Sequence, residues 1–162
     1  MPISLRSPTN QDLPELNRLV WAAKSSWGYP PEWMEQWWPD LEVSPELLSR
    51  THGQVAIDGL EIQGFYLILP SEPDWILDHL WVDPRCHGRG LGRRLLAESL
   101  RSTASLGRIG LRIDSDPFAE TFYLHCGAER TAMLPAPMPG EPNRLRPQLW
   151  ISTTPQILTE GA

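Results

Sequence analysis

The chain has 162 residues and 18.4 kDa, enough for one domain, 1–162, around a single core; 41% apolar and 21% charged residues exclude a disordered chain, and no run of about 18 apolar residues is present to span a membrane. Lys plus Arg number 14 against 20 Asp plus Glu, so the net charge of −6 and pI near 5.2 argue against nucleic acid as a partner, though not against a local basic pocket. The opening MPISLRSPTN carries no apolar signal segment, and Cys86 and Cys126 cannot form a disulfide framework, so a reduced, cytoplasmic setting is expected.

Asp12 is placed to cap a first helix, with Glu15 three residues on as its capping-box partner and Pro14 in the first turn. Leu13, Leu16, Val20 and Ala23 then recur at helical spacing, flanked by Leu19. A second helix is expected to begin at Pro30–Pro31, carry Trp33, Met34, Trp37 and Trp38, and stop at Pro39. Ser44-Pro45-Glu46 reads as another helix start. From there the period changes. Residues 54–57 and 62–69 are apolar runs around the hairpin signal Asp58-Gly59, and 75–82 reads as a third strand.

Next comes HGRGLG at 87–92, then a helix with Leu95, Leu96, Leu100 and Ala104 on one side, stopped by Gly107. Residues 108–114 read as a strand and 117–125 as a helix. A Pro-rich loop from Pro135 to Pro142 and a last strand near 145–151 finish the chain. Helices, antiparallel strands and then a strand–helix–strand–helix unit imply an α/β (α+β) architecture.

The informative segment is the strand-to-helix turn. Closely approaching glycine backbone and a helix N-terminus together favour an anion, and Arg85, Arg89, Arg93 and Arg94 crowd basic charge around it. The alternative is a solvated arginine cluster beside a tight turn. A Walker A loop would need Gly-Lys-Ser/Thr, and the chain's single lysine, Lys24, lies far away. A dinucleotide fingerprint starting at Gly88 and Gly90 would need glycine at 93, which is Arg. Asp114 does stand near the distance of a ribose-binding acid, but half the chain precedes the turn, unlike a dinucleotide fold.

The segment from Leu77 to Glu129 resembles the core of the GNAT superfamily of acyl-CoA-dependent N-acetyltransferases. Its turn is similar to that family's Gln/Arg-x-x-Gly-x-Gly/Ala, read here as His87-Gly88-Arg89-Gly90-Leu91-Gly92. Asp116 to Tyr123, followed by Gly127-Ala128, resembles the downstream Asn-x-x-Ala-x-x-x-Tyr and Gly-Phe, and His79 to Pro84 the central strand and its exit. His87 stands where Gln or Arg is usual, Asp116 where Asn is, and Ala128 where Phe is. The resemblance implies a mixed, mostly antiparallel sheet of six to seven strands with helices on both faces. It also implies acetyl-CoA as co-substrate, no metal, and direct transfer to an amine.

On that resemblance, Leu80, Trp81, Val82, His87, Gly88, Arg89, Gly90, Leu91, Gly92, Arg93 and Asp116 are expected to bind the cofactor, with a backbone N–H near Leu80 to Val82 facing the developing oxyanion. Tyr123 matches the family's general acid; without the resemblance it would read as a half-buried core tyrosine. Asp78 is the candidate base, directly or through water, while His79 alternates to the other face unless a bulge intervenes. Glu35 is a more remote candidate. Cys126 beside His125 raises a covalent acyl-cysteine route, although adjacent helical residues do not face each other. Trp27, Trp33 and Trp37 are expected either to line an acceptor pocket or to pack helices onto the sheet, with Met138 of the Pro-rich loop as a further contact.

The leading expectation is an N-acetyltransferase acting on a small-molecule or peptide amine, with a homodimer common in proteins resembling this one but no self-complementary motif in the chain. The alternatives are a non-catalytic acyl-CoA-binding module contacting a partner through its Trp-rich helices, and a nucleotide-binding regulator. No nucleic acid and no membrane are expected as partners.

Overall fold

The change of period near residue 52 is where the sheet begins in earnest. The structure is a computed structural model that describes residues 2–154; Met1 and residues 155–162, the ends of the expected 1–162 domain, lie outside the described residues. In chain order the elements are β1 (Ser4–Arg6), α1 (Leu13–Ser25), α2 (Pro31–Leu41), α3 (Pro45–Arg50), β2 (His52–Asp58), β3 (Glu61–Leu69), β4 (Ile76–Val82), α4 (Leu91–Ser105), β5 (Gly110–Asp114), α5 (Glu120–His125), β6 (Glu129–Pro135) and β7 (Leu145–Ser152). The strands form one seven-stranded sheet in the order β1-β2-β3-β4-β5-β7-β6. Every neighbouring pair is antiparallel except β4 and β5, which are parallel.

Strand alternation in β3 supplies both cores. Phe65 and Leu67 pack with Leu16, Leu19 and Val20 of α1, whereas Tyr66 and Ile68 pack with Leu95 and Leu96 of α4 and Tyr123 of α5. Helices therefore cover both faces. Truncating Leu16 or Leu95, both fully buried, to alanine is expected to cost about 2–5 kcal/mol through lost transfer energy and the residual cavity. The buried side of α4 also carries Ser99 and Thr103, while Ala104 is exposed. Their hydroxyls donate to Leu96 O at 2.7 Å and Ser99 O at 2.8 Å, which makes a polar residue tolerable there.

Several local expectations are corrected. The capping box sits one turn earlier, where the Thr9 N–H donates to the Asp12 carboxylate at 2.8 Å. Asp12 also accepts both Arg6 terminal nitrogens, at 2.8 and 3.0 Å, so it ties β1 to α1 rather than capping α1 through Glu15. Pro39 lies inside α2, which runs on to Leu41. The expected helix 117–125 is a 3-10 turn over Pro117–Ala119 followed by α5. Strands β1 and β6 have no counterpart in the sequence reading. β1 is three residues long, and β6 is an edge strand of mostly non-β-branched residues whose pairing with β7 is broken by a bulge at Thr131.

Two irregularities shape the site. Leu67 opposes His79 but Ile68 opposes Leu77, so Asp78 is a bulge residue with no partner opposite. In addition, β4 and β5 pair only at Ile76 and Arg112, where the Arg112 N–H donates to Trp75 O at 2.9 Å. Beyond that point β4 stays with β3, while the end of β5 follows β7 through Ser115 N–H to Pro147 O at 3.0 Å. The sheet opens there as a wedge. No helix among the described residues is long and apolar enough to cross a membrane.

Candidate active site

The Gly-rich turn is built so that its amides stay free. Gly88 and Gly90 adopt φ of +81° and +79°, a region that side chains with a Cβ rarely enter. Gly90 caps α4, and Arg94 N–H is the first to close the helical ladder, onto Gly90 O at 3.0 Å. The N–H groups of Leu91, Gly92 and Arg93 are thereby left without intrahelical partners at the positive end of the helix dipole. Arg85 turns away from this site, held by Asp83 at 2.8 Å. Asp83 is buried, also accepts from Arg18 at 3.1 Å, and its carboxyl is held well below the ordinary range, first by the Arg85 hydrogen bonds. Arg89, Arg93 and Arg94 have no carboxylate partner among the described residues.

In front of the turn lies a cleft of about 510 Å³. Leu80, Trp81 and Val82 of β4 form one wall, the turn from His87 to Arg93 without Arg89 forms the floor, and Trp27, Phe118 and Tyr123 close the far side. Trp27 and Phe118 stack with their rings 5.9 Å apart. Tyr123 is 7% exposed, and its hydroxyl has no hydrogen-bond partner among the described residues. Burial raises its pKa above that of an ordinary phenol, so it keeps its proton at neutral pH.

The wall from β4 presents backbone as well as side chains. Asp83 N–H bonds to Gln63 O across β3 at 2.8 Å, so strand alternation turns the Leu80 and Val82 N–H groups toward the opposite edge, which β5 has vacated. The bulge interrupts strand alternation at Asp78, and His79 Nε2 stands 3.7 Å from Asp78 Oδ2. His79 is buried, lies against Phe65 with ring centroids 5.9 Å apart, and accepts the Trp81 Nε1–H at Nδ1, 2.8 Å away. An indole only donates, which assigns the proton of neutral His79 to Nε2. Burial lowers the His79 pKa while Asp78 opposes it, so the neutral imidazole is favoured.

A second pocket, about 370 Å³, opens on the other side of the wedge and shares Trp81 with the first. Asp78, Asp114, Asp116, Lys24, Trp37, Asp40, Arg144 and Arg146 surround it. Asp116 lies here and not in the cleft: it accepts from Lys24 at 2.7 Å, from Tyr29 Oη at 2.9 Å and from the Phe118 N–H at 2.8 Å, joining α1 to the loop after β5. Trp33 and Met138 line neither pocket. Trp33 Nε1 donates to Pro139 O at 3.1 Å, and the buried Met138 of the loop accepts from Gln36 Nε2 at Sδ, 3.8 Å away, so both hold the Pro-rich segment against α2. Trp27 stands on the cleft, and only Trp37 of the three tryptophans reaches the second pocket. The cations the aromatic cluster holds are the chain's own, Lys24 Nζ at 4.2 Å and Arg144 at 5.2 Å from the Trp37 ring.

A family model, the acetyltransferase (GNAT) domain, matches residues 49–127. The chain carries a GNAT domain over those residues. Its fold is shared by solved structures of low identity. A GCN5-related N-acetyltransferase from Rhodopseudomonas palustris is 22% identical with a TM-score of 0.76, covering 92% of this chain and 94% of that one. The paia N-acetyltransferase from Thermoplasma acidophilum, in complex with coenzyme A, is 17% identical with a TM-score of 0.75, covering 94% and 99%. The ribosomal-protein-S18-alanine N-acetyltransferase from Escherichia coli is 16% identical with a TM-score of 0.69, covering 94% of each chain. No curated protein matches the sequence.

Within that GNAT domain the His87 ring bonds Val82 O at 3.1 Å and pins the turn to the end of β4. Ala128 is buried in the core beside Tyr123. The other routes raised by the sequence have no geometry here. Cys126 lies outside the cleft, at the far end of α5, with its thiol pKa raised by burial. Glu35 is exposed on α2 and lines neither pocket. Asp114 accepts from Arg112 at 3.3 Å and Gln148 at 3.0 Å, away from the glycines. Phe118, Lys24, Arg144 and Arg146 were missed. The one available signal was the position of the only lysine in an otherwise apolar helical stripe. Among the described residues no group of three or more His, Cys, Asp and Glu is arranged to hold a metal ion.

Proposed function

We propose that this protein transfers an acetyl group from acetyl-CoA directly to a primary amine of a small molecule or peptide. The observation that carries the reading is the convergence, on one cleft, of the free helix-terminal amides, the unpaired edge of β4 and the unbonded Tyr123 hydroxyl. Acetyl-CoA would supply the thioester. The Leu91, Gly92 and Arg93 amides, with the Arg93 side chain, suit its pyrophosphate, as the donor chemistry of a helix N-terminus requires.

The remaining steps fall to the chain's own groups. An N–H of Leu80 or Val82 faces the oxygen on which negative charge develops as the amine nitrogen attacks the carbonyl carbon. As the carbon–sulfur bond breaks, Tyr123 gives its proton to the departing thiolate, and its raised pKa keeps that proton in place until then. Asp78, the bulge residue that lines the second pocket, takes the amine's proton directly or through water. A backbone oxyanion donor is invisible to side-chain deletion, so the test begins with binding. Calorimetry with acetyl-CoA, CoA and NAD should show acetyl-CoA and CoA bound in preference to NAD, followed by CoA release when amines are added. Absence of acetyl-CoA binding would reject the reading.

A further inference from the structure

The second pocket carries a charge pattern that a simple amine does not explain. Lys24 is paired with Asp116 at 2.7 Å, and Asp114 with Arg112 of β5, which does not line the pocket, at 3.3 Å. Setting those pairs aside leaves Arg144 and Arg146 on the β7 side, facing a pocket whose remaining carboxylates are Asp40 and Asp78. Arg144 is held in place without a carboxylate: its terminal nitrogens donate to Tyr29 Oη at 3.2 Å and Ala136 O at 3.3 Å, and its guanidinium lies over Tyr29, Trp33 and Trp37. A guanidinium has five N–H donors, so Arg144 retains unused ones. The Arg146 side chain has no hydrogen bond among the described residues and is exposed beside the pocket.

These cations stand close together. Arg144 and Arg146 both oppose the charge on buried Lys24, adding to the larger effect of its burial. Only Asp116 is bonded to any of these three cations, and neither Asp40 nor Asp78 is bonded to Arg144 or Arg146, so those two guanidiniums are open to an added anion. The same pocket is lined by Asp78 of β4 and by Trp81, the residue it shares with the cofactor cleft. An amine in this pocket reaches the thioester past Trp81.

We infer that the acceptor is an amine that also carries a carboxylate, an amino-acid-like molecule whose ammonium end faces Asp78 and whose carboxylate end is gripped by Arg144 and Arg146. The inference rests on the acetyltransferase reading and narrows its substrate class. Arginine pairs suit this task because a planar guanidinium matches a carboxylate with two parallel hydrogen bonds. A pocket of about 370 Å³ limits the acceptor to a small molecule rather than a folded protein surface.

The test uses the full chain with saturating acetyl-CoA and follows thiol release with matched pairs. Each pair is an L-amino acid and its decarboxylated amine, drawn from aliphatic, aromatic, acidic and basic side chains. The acid member of at least one pair should be favoured in kcat/KM by about 10-fold or more, as loss of a charge-assisted bond implies. Arg146→Gln should collapse that ratio toward one, chiefly through KM. Arg146 is exposed, so the variant should fold, with unchanged circular dichroism as the check. Equal or better use of every decarboxylated member, no release with any acid member, or an unchanged ratio in Arg146→Gln overturns the inference while calorimetric acetyl-CoA binding leaves the broader reading standing. Loss of acetyl-CoA binding itself in the native chain overturns both.

Discussion

The Trp81 indole donates its Nε1 proton to Nδ1 of the buried His79 at 2.8 Å, and this bond sets the face that His79 turns toward Asp78. It joins one residue that lines both pockets to another that lines neither. Trp81→Phe keeps most of the ring but leaves Nδ1 as a buried acceptor without a donor. Such a group costs about 1–3 kcal/mol, so the urea midpoint should fall accordingly with little change in slope. Turnover should fall as well, because Asp78 loses a fixed neighbour.

His79 also gives the protein an acid-sensitive term. Its folded pKa lies below the unfolded value of about 6.5, so the unfolded chain binds the proton more readily. Its contribution is therefore full above pH 6.5 and is lost as pH falls from there through the folded pKa. Asp83, whose folded pKa is likewise depressed, acts only lower, below about pH 4 where free aspartate begins to protonate. His79→Asn retains an acceptor near the Nδ1 position but does not titrate. Stability measured from pH 7 to 5 should slope downward in the native protein and lie nearly flat in the variant.

The sequence made the central part of this molecule legible because two periods and one turn carry it. The apolar run of 62–69 and the glycines at 88 and 90 obey local rules, and the structure forms β3 and a left-handed turn there. What could not be read depends on pairing across the chain. The 3.7 Å approach of the Asp78 and His79 side chains falls where β3 and β4 slip register between Leu67 and Ile68, interrupting strand alternation. Asp116 is drawn from the cleft side by a lysine 92 positions away, and Arg144 meets Tyr29 across 115. No window of local sequence contains those contacts.

Tyr123 offers the most direct test of the chemistry. Tyr123→Phe removes a hydroxyl that bonds to no protein group among the described residues, so folding stability should change little. Acetyl-CoA affinity should remain within about twofold while kcat falls roughly 100-fold, the lower range for loss of a general acid. Because burial raises the phenol's pKa above its ordinary value near 10, the native enzyme should show no alkaline decline from this group below about pH 10.

The turn is equally open to test. At Gly90, with φ of +79° and no atom within 4 Å of where a Cβ would stand, alanine meets backbone strain and no collision. Gly90→Ala should cost about 1–2 kcal/mol of stability. If the turn relaxes to relieve that strain, the amides that begin α4 rotate away from the cleft. Calorimetry should then show acetyl-CoA binding weakened by more than stability alone accounts for, whereas Gly88→Ala, outside the helix cap, should spare α4 itself.

Lys24 and Asp116 tie together the wall of the second pocket. Their side chains are 11% and 6% exposed, and the 2.7 Å contact ties α1 to the segment that launches the Tyr123 helix. Lys24→Met leaves the Asp116 carboxylate buried with only the Tyr29 hydroxyl and the Phe118 amide, and breaking a buried pair from one side typically costs about 3–5 kcal/mol. Asp116→Asn alone strands the lysine charge instead. In the double variant neither charge is left uncompensated, and the Asn side chain can still accept from the Phe118 N–H. A double-mutant cycle by chemical denaturation should therefore give a double variant more stable than either single one. Additive losses would mean that the two charges are solvated well enough to stand apart.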